Sequence, residues 1–188
     1  MAVDVAATRR RFTRKEYYRM AEVGILGERD RVELIRGEIV EMSPIGPRHA
    51  AFVDNLSGLL IRRLPDEVIV RVLRPVALTD DTEPQPDLVV LRRRAVPYKD
   101  RAAWAADAVL VIEVAETSLA YDRSTKGRLY AEAGIPEYWV VDCAVETVEV
   151  YREPDAGGYR DVRLMTGAAM LAPHGFPEAA LATAEIFA

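Results

Sequence analysis

Two acidic residues stand beside apolar segments, where a carboxylate is costly to bury. Asp87 follows Pro86 and opens the run DLVVL, and Glu113 interrupts the run AVLVIEVA 26 positions later. If these runs are neighbouring strands, the two carboxylates converge at one edge of the sheet. Carboxylates on rigid strands supply the hard oxygen ligands that magnesium or manganese prefers, and a metal-bound water can act as a nucleophile. The pattern is compatible with a divalent-metal site at Asp87 and Glu113. The residues alone leave two other interpretations open, a turn capped by Asp87 after the proline and a structural salt bridge at Glu113.

A lysine follows the second acid at a distance that suits the same chemistry. Lys126 lies 13 residues after Glu113, in the first turns of a predicted helix. A helix that folds back over the strand end can bring its ammonium group to the metal, where a cation stabilises charge developing on a phosphate. The residues alone leave a second interpretation open, an exposed helix lysine paired with Asp122 four positions earlier.

The elements that position these residues follow from periodicity and from turn residues. A helix capped by Thr13 is predicted to stop at Gly24, and a hairpin is predicted to turn at Arg36-Gly37. Apolar residues spaced three and four apart predict a second helix over residues 48–64. These elements precede the strand that Asp87 opens.

The second half of the chain alternates strands with one helix. Extended segments are predicted over residues 68–78, 86–93, 108–115, 137–142, 146–153 and 159–165. A helix is predicted over residues 123–133, capped by Asp122 or Ser124 and ended by Gly134. This order predicts an α/β (α+β) fold, a mixed central β-sheet flanked by helices.

Length and composition narrow the class of protein. The 188 residues fit a single domain over residues 11–188, after a flexible N-terminal segment over residues 1–10. The net charge of -5 argues against a protein that coats nucleic acid non-specifically, since such binding needs a basic excess. Basic clusters near residues 9–15 and 92–94 are most often solvated faces.

Cysteine usage and hydropathy indicate the compartment. Cys143 is the single cysteine, so no internal disulfide forms, which is typical of a reducing cytosol. The first residues lack the apolar core of a signal peptide, and no segment approaches the length of a membrane helix. We therefore expect a cytoplasmic protein that does not contact a membrane, with Cys143 chemically inert.

Beyond these patterns, the chain resembles the PD-(D/E)XK nucleases, the restriction-endonuclease-like superfamily. The segments ELIRGEIVEMSP, PQPDLVV, LVIEVAETS, YDRSTKGRLYAEAGIPEYWVVD and VEVYRE, in that order, are similar to the Uma-two family of bacterial endonucleases. The resemblance covers about residues 11–185 and is most specific over residues 122–142. It implies a restriction-endonuclease-like core and a magnesium- or manganese-dependent endonuclease that hydrolyses phosphodiester bonds of DNA.

The resemblance also implies roles for individual residues. Asp87 and Glu113 would hold the metal, joined by Glu33 and the backbone carbonyl of Val114. Lys126 would orient or deprotonate the attacking water. The superfamily pattern places a lysine two residues after the glutamate, where this chain has alanine, so the resemblance implies that Lys126 supplies the ammonium from the helix.

Further residues enter with alternatives that the sequence leaves open. The resemblance implies that His49 lies at the pocket rim, as a base or a phosphate contact, although helix-start packing is the competing interpretation. Glu33 is equally compatible with an outward position on the hairpin. Tyr130 shares a helical face with Lys126, four residues away, and core packing is the favoured reading for it.

The sequence leaves two other functions open and predicts a homodimer. A non-catalytic module could use the same fold to bind nucleic acid or a protein, and a metal-dependent hydrolase could act on small phosphoesters. Edge strands such as VRVLRPVAL and the apolar tail predict a homodimer.

Overall fold

The structure, a computed structural model, describes residues 9–27, 29–99 and 101–188. Residues 1–8 of the predicted flexible segment lie outside this part of the chain. The helices are α1 (Arg14–Glu22), α2 (Pro47–Arg63), α3 (Leu119–Tyr121), α4 (Gly127–Glu132) and α5 (Thr183–Ile186). The strands are β1 (Val32–Ile35), β2 (Glu38–Glu41), β3 (Val68–Val72), β4 (Leu88–Arg92), β5 (Ala108–Ala115), β6 (Glu137–Asp142), β7 (Thr147–Asp155), β8 (Gly158–Thr166), β9 (Met170–Leu171) and β10 (Leu181–Ala182).

A six-stranded mixed sheet in the order β3-β4-β5-β6-β7-β8 forms the centre of the molecule. Strand β5 pairs antiparallel with β4 and parallel with β6. A parallel pair needs a crossover connection, which the helical segment from α3 to α4 provides. Every residue of β5 is buried, as expected for a central strand covered on both faces. The predicted α/β (α+β) class is confirmed.

Local sequence signals explain the first elements. Thr13 and Glu16 form a capping box at the start of α1, and Gly24 follows the helix with φ +77°. In the β1–β2 hairpin, Arg36 and Gly37 both have positive φ, +50° and +76°, as a type I′ turn requires. The predicted helix stop and the predicted hairpin are therefore confirmed.

Helix α2 covers one face of the sheet. Its apolar stripe, which includes Leu56, Leu60 and Val53, packs with Leu110 and Trp139 of the central strands. Pro65 follows the helix and prevents its continuation. On the opposite face, Tyr130 and Tyr138 pack with other buried side chains in a second apolar cluster, so the sheet lies between two cores.

Two predicted boundaries were wrong. The strand predicted over residues 68–78 ends at Val72, because Leu73 takes a left-handed conformation with φ +48°. The helix predicted to start after Asp122 begins at Leu119 instead. Neither Asp122 nor Ser124 caps it, since both lie inside the helical segment.

The basic run after β4 has a structural use. The Arg93 guanidinium donates to the carbonyl of Asp66, and Arg94 pairs with the buried carboxylate of Asp107. Arg92 is exposed at the end of β4. Arg93 therefore links the end of β4 to the segment before β3, and Arg94 links the two ends of the connection between β4 and β5.

Across the described ranges, no helix combines the length and the apolar character needed to cross a membrane.

Candidate active site

Asp87 stands immediately before β4 and is held by two contacts. Its Oδ2 accepts the backbone N–H of Val114 at 2.8 Å, so β5 itself orients the carboxylate. Its Oδ1 lies 3.0 Å from Nε2 of His49, in the first turn of α2. This hydrogen bond to Asp87 raises the pKa of His49 above its usual value, against the effect of partial burial. The structure thus places His49 in the lining of the cavity, beside Asp87, while its role as a base or a phosphate contact stays a prediction.

Glu113 lies on β5 and is almost completely buried. Its Oε1 accepts the hydroxyl of Tyr130 at 2.7 Å and lies 3.0 Å from Nζ of Lys126. Burial raises the pKa of Glu113 well above its usual range, and Lys126 offsets this only in part. Nearby carboxylates raise that pKa further. An additional cation near this buried carboxylate would favour its charged form.

Glu33 reaches the same ammonium group from the hairpin. Its Oε2 lies 3.4 Å from Nζ of Lys126 and accepts the backbone N–H of Gln85 at 3.1 Å. The outward alternative for Glu33 is thus wrong, since its side chain is buried. Burial opposes the charge on Lys126, but Glu113 and Glu33 raise the pKa of Lys126 above its usual value. The lysine is a permanent cation between two acids.

A π-helical turn, Asp122–Lys126, sets the direction of the lysine. The N–H of Gly127 donates to the carbonyl of Asp122, five residues back, which is the bond that defines a π-turn. Asp122 and Lys126 are both buried within this turn. Single π-turns inside helices occur frequently at functional sites, and here the turn directs a carboxylate and an ammonium toward the end of β5.

Asp122 is a site residue that the sequence analysis missed. Its carboxylate accepts the hydroxyl of Ser118, and it lines the same cavity as Asp87 and Glu113. Burial raises the pKa of Asp122, although Lys126 and the Ser118 hydroxyl act in the opposite direction. The available signal was its spacing of four from Lys126, which suggests a helix cap equally well.

The loop after β5 packs closely against the start of α2. Gly46 caps this helix, and a Cβ there would lie 2.3 Å from an oxygen of Glu116. A side chain at this position would displace the flexible, exposed end of Glu116, whose carboxylate stands near the positive end of the helix dipole.

The side chains surround a cavity of about 300 Å³. Its polar lining includes Glu33, His49, Asp87, Glu113, Asp122 and Lys126. Val114 also lines it, and Glu41 and Glu116 add acidic groups. All of the sequence-predicted site residues therefore meet in one cavity, while their individual roles stay predictions.

The donor set fits a divalent cation with few protein ligands. Four buried carboxylates, those of Glu33, Asp87, Glu113 and Asp122, share the cavity with one buried ammonium and one imidazole, and the half-buried Arg31 also lines it. Within the described residues, no three His, Cys, Asp or Glu side chains converge closely enough to hold a metal by themselves. Magnesium commonly binds through one or two carboxylates and keeps several waters, so this set of donors is compatible with such an ion.

Comparisons with known proteins identify the family and the fold of the chain. Residues 14–184 match the family described as "Uma2: Putative restriction endonuclease". A crystal structure described as a putative nuclease belonging to DUF820 from Anabaena variabilis ATCC 29413 superposes with a TM-score of 0.73 and 19% sequence identity. The match covers 94% of this chain and 97% of that chain, and at this identity it shows the fold alone. No curated protein matches this chain.

Proposed function

The chain belongs to the Uma2 family of restriction-endonuclease-like proteins, and from that premise we propose that it hydrolyses phosphodiester bonds of DNA with a divalent metal, magnesium or manganese. The observation that carries the proposal is the excess of buried carboxylates around Lys126 at the end of β5. Burying several carboxylates lowers the stability of the fold. A bound cation offsets this cost, so an excess of buried carboxylates is typical of a site that binds one. Binding of a divalent cation is the compensation that the cavity supports best.

In this proposal Asp87 and Glu113 hold the metal, with the Val114 carbonyl and Glu33 nearby. When bound, the ion polarises the scissile phosphate and lowers the pKa of a bound water. Lys126 orients the attacking water and stabilises charge on the phosphate, since its ammonium is fixed beside Glu113. His49 orients Asp87 through their 3.0 Å contact.

The test is a cleavage assay on supercoiled plasmid and end-labelled duplex DNA, with magnesium or manganese and with chelator. We expect metal-dependent cleavage that falls on the order of 100-fold in Glu113→Gln and Asp87→Asn, the scale of a lost electrostatic group in a catalytic site. Glu67→Gln is the matched control, because this exposed glutamate precedes β3 at the opposite end of the sheet. Equal cleavage by Glu113→Gln and wild type would refute the assignment.

One observation favours the rival binding module. Lys126 is already neutralised by Glu113 and Glu33, and the described part of the chain holds no three-residue metal cluster. Calorimetry separates the two functions, because a binding module takes up DNA without binding manganese. A panel of small phosphoesters tests the other rival, a hydrolase of small substrates.

Three wider predictions accompany the proposal. The family match over residues 14–184 supports a single domain over 11–188. A cytoplasmic location remains a prediction. A homodimer also remains one, since β3 and β8 lie at the two edges of the sheet. Light scattering that returns the 21.0 kDa mass of one chain would contradict the dimer.

A further inference from the structure

Tyr130 is a buried residue with a polar contact that packing alone does not require. It lies on α4 with no exposed surface, and it is absent from the lining of the cavity. Its hydroxyl nevertheless donates to Oε1 of Glu113 at 2.7 Å. The residue therefore acts on the site through another side chain and does not touch a ligand in the cavity.

The contact is specific to one oxygen of the carboxylate. Lys126 Nζ also binds Oε1 of Glu113, at 3.0 Å. Within the described residues no hydrogen bond reaches Oε2, and Glu113 lines the cavity. Two donors on the inner oxygen leave the outer oxygen for a ligand in the cavity.

Tyr130 is better suited than Lys126 to fix the rotamer of Glu113. Its ring is rigid, packs 5.0 Å from the ring of Tyr138, and cannot follow a moving carboxylate. The lysine has a flexible stem, and Glu33 also attracts its ammonium. A tyrosine hydroxyl is a hydrogen-bond donor at neutral pH, which suits it to hold the Glu113 carboxylate.

We propose that Tyr130 is a positioning residue, which holds Oε1 of Glu113 inward so that Oε2 faces the cavity to bind the divalent cation. This inference rests on the metal in the proposed function. Hydrogen bonds that orient a metal ligand are commonly worth 10- to 100-fold in affinity, which sets the size of the expected effect.

The experiment measures manganese binding to the full-length protein by calorimetry and by the paramagnetic signal of free manganese. We expect Tyr130→Phe to weaken manganese binding by about 10-fold or more. Tyr159→Phe is the matched control, since its hydroxyl donates to the carbonyl of Ile135 and contacts no carboxylate of the site. That variant should bind manganese within about twofold of wild type, because it removes no hydrogen bond to a proposed metal ligand.

A rescue variant separates positioning from loss of packing. Replacing Tyr130 with p-aminophenylalanine keeps a donor at the same place, so we expect manganese affinity to return toward the wild-type value. If the p-aminophenylalanine variant folds but binds manganese no better than Tyr130→Phe, the inference is overturned. If Tyr130→Phe does not fold, the comparison is made with Glu113→Gln, and manganese binding no better than that of Glu113→Gln overturns the inference.

The outcomes distinguish the two proposals. If wild type and Tyr130→Phe bind manganese equally, the role of Tyr130 is wrong while the metal-dependent function stands. If wild type does not bind manganese, the metal-dependent function fails, and the positioning role is overturned with it.

Discussion

Lys126 and Glu113, 13 residues apart in the sequence, form a buried ion pair with Nζ and Oε1 separated by 3.0 Å. Both side chains are less than a tenth exposed. A buried pair of this kind adds little net stability, because desolvation offsets the attraction, but loss of one partner leaves an uncompensated charge. The pair is therefore a sensitive point of the fold as well as of the site.

Lys126→Met should destabilise the protein by about 3–5 kcal/mol, the cost of leaving a buried charge without its partner. Both Glu113 and Glu33 lose their counter-ion in this variant. The free energy of unfolding, measured with urea, checks the value. Lys99→Met is the control, because Lys99 is exposed.

A double variant tests whether charge is the cause. Lys126→Met combined with Glu113→Gln should recover part of the lost stability, since the second change removes one of the stranded carboxylates. If the double variant loses as much stability as the two single variants together, the ammonium and the carboxylate are not coupled.

Asp122→Asn should stabilise the protein at neutral pH by about 0.5–2 kcal/mol, the range of favourable single substitutions. Burial raises the pKa of Asp122 above its unfolded value, so ionisation costs stability as pH rises through the folded pKa. Below the unfolded pKa both forms are neutral and the difference vanishes. Urea titrations between about pH 3 and 7 should therefore show a gain that grows with pH. A constant gain would mean that the charge is not responsible.

Asp107→Asn should have the opposite sign. Burial acts to raise the pKa of Asp107, but the N–H of Trp104 and the guanidinium of Arg101 outweigh it and lower that pKa. The charged form then stabilises the fold above the unfolded pKa, and this contribution is lost as pH falls through the folded pKa. We expect a loss of about 1–3 kcal/mol at neutral pH that shrinks in acid. An equal loss at every pH would contradict this linkage.

Part of the site could be predicted from the sequence. The convergence of Asp87 and Glu113 could be predicted, because each lies at the end of an apolar strand and neighbouring strands share an edge. The position of Lys126 was one of two interpretations, a helix that returns over β5 or an exposed lysine paired with Asp122. These expectations used only periodicity and the connection rules of sheets.

Other parts of the site depend on contacts that no local pattern encodes. The π-turn forms through the bond from Gly127 to Asp122, and it places Asp122 inside the cavity instead of at a helix end. Tyr130 has the spacing of a core residue, and only its distance to Glu113 assigns a polar role. The early end of β3 likewise reflects the left-handed conformation of Leu73, a residue that rarely adopts it.

Divalent metal should stabilise the folded protein, and this effect should depend on Glu113. A ligand that binds only the folded state adds about 2.7 kcal/mol at 100 times its Kd, which corresponds to a rise in Tm of roughly 5–10 °C for a chain of this length. Manganese should therefore raise the Tm of wild type in a thermal unfolding scan, and Glu113→Gln should lose most of the rise because one anchoring carboxylate is gone.

Glu67→Gln should respond as wild type does, since that side chain is exposed far from Asp87. Calcium serves as a comparison ion, because it accepts longer bonds and more ligands than the cavity carboxylates provide. An unchanged Tm of wild type at saturating manganese would leave the excess of buried carboxylates without a cation and would contradict the metal-dependent reaction.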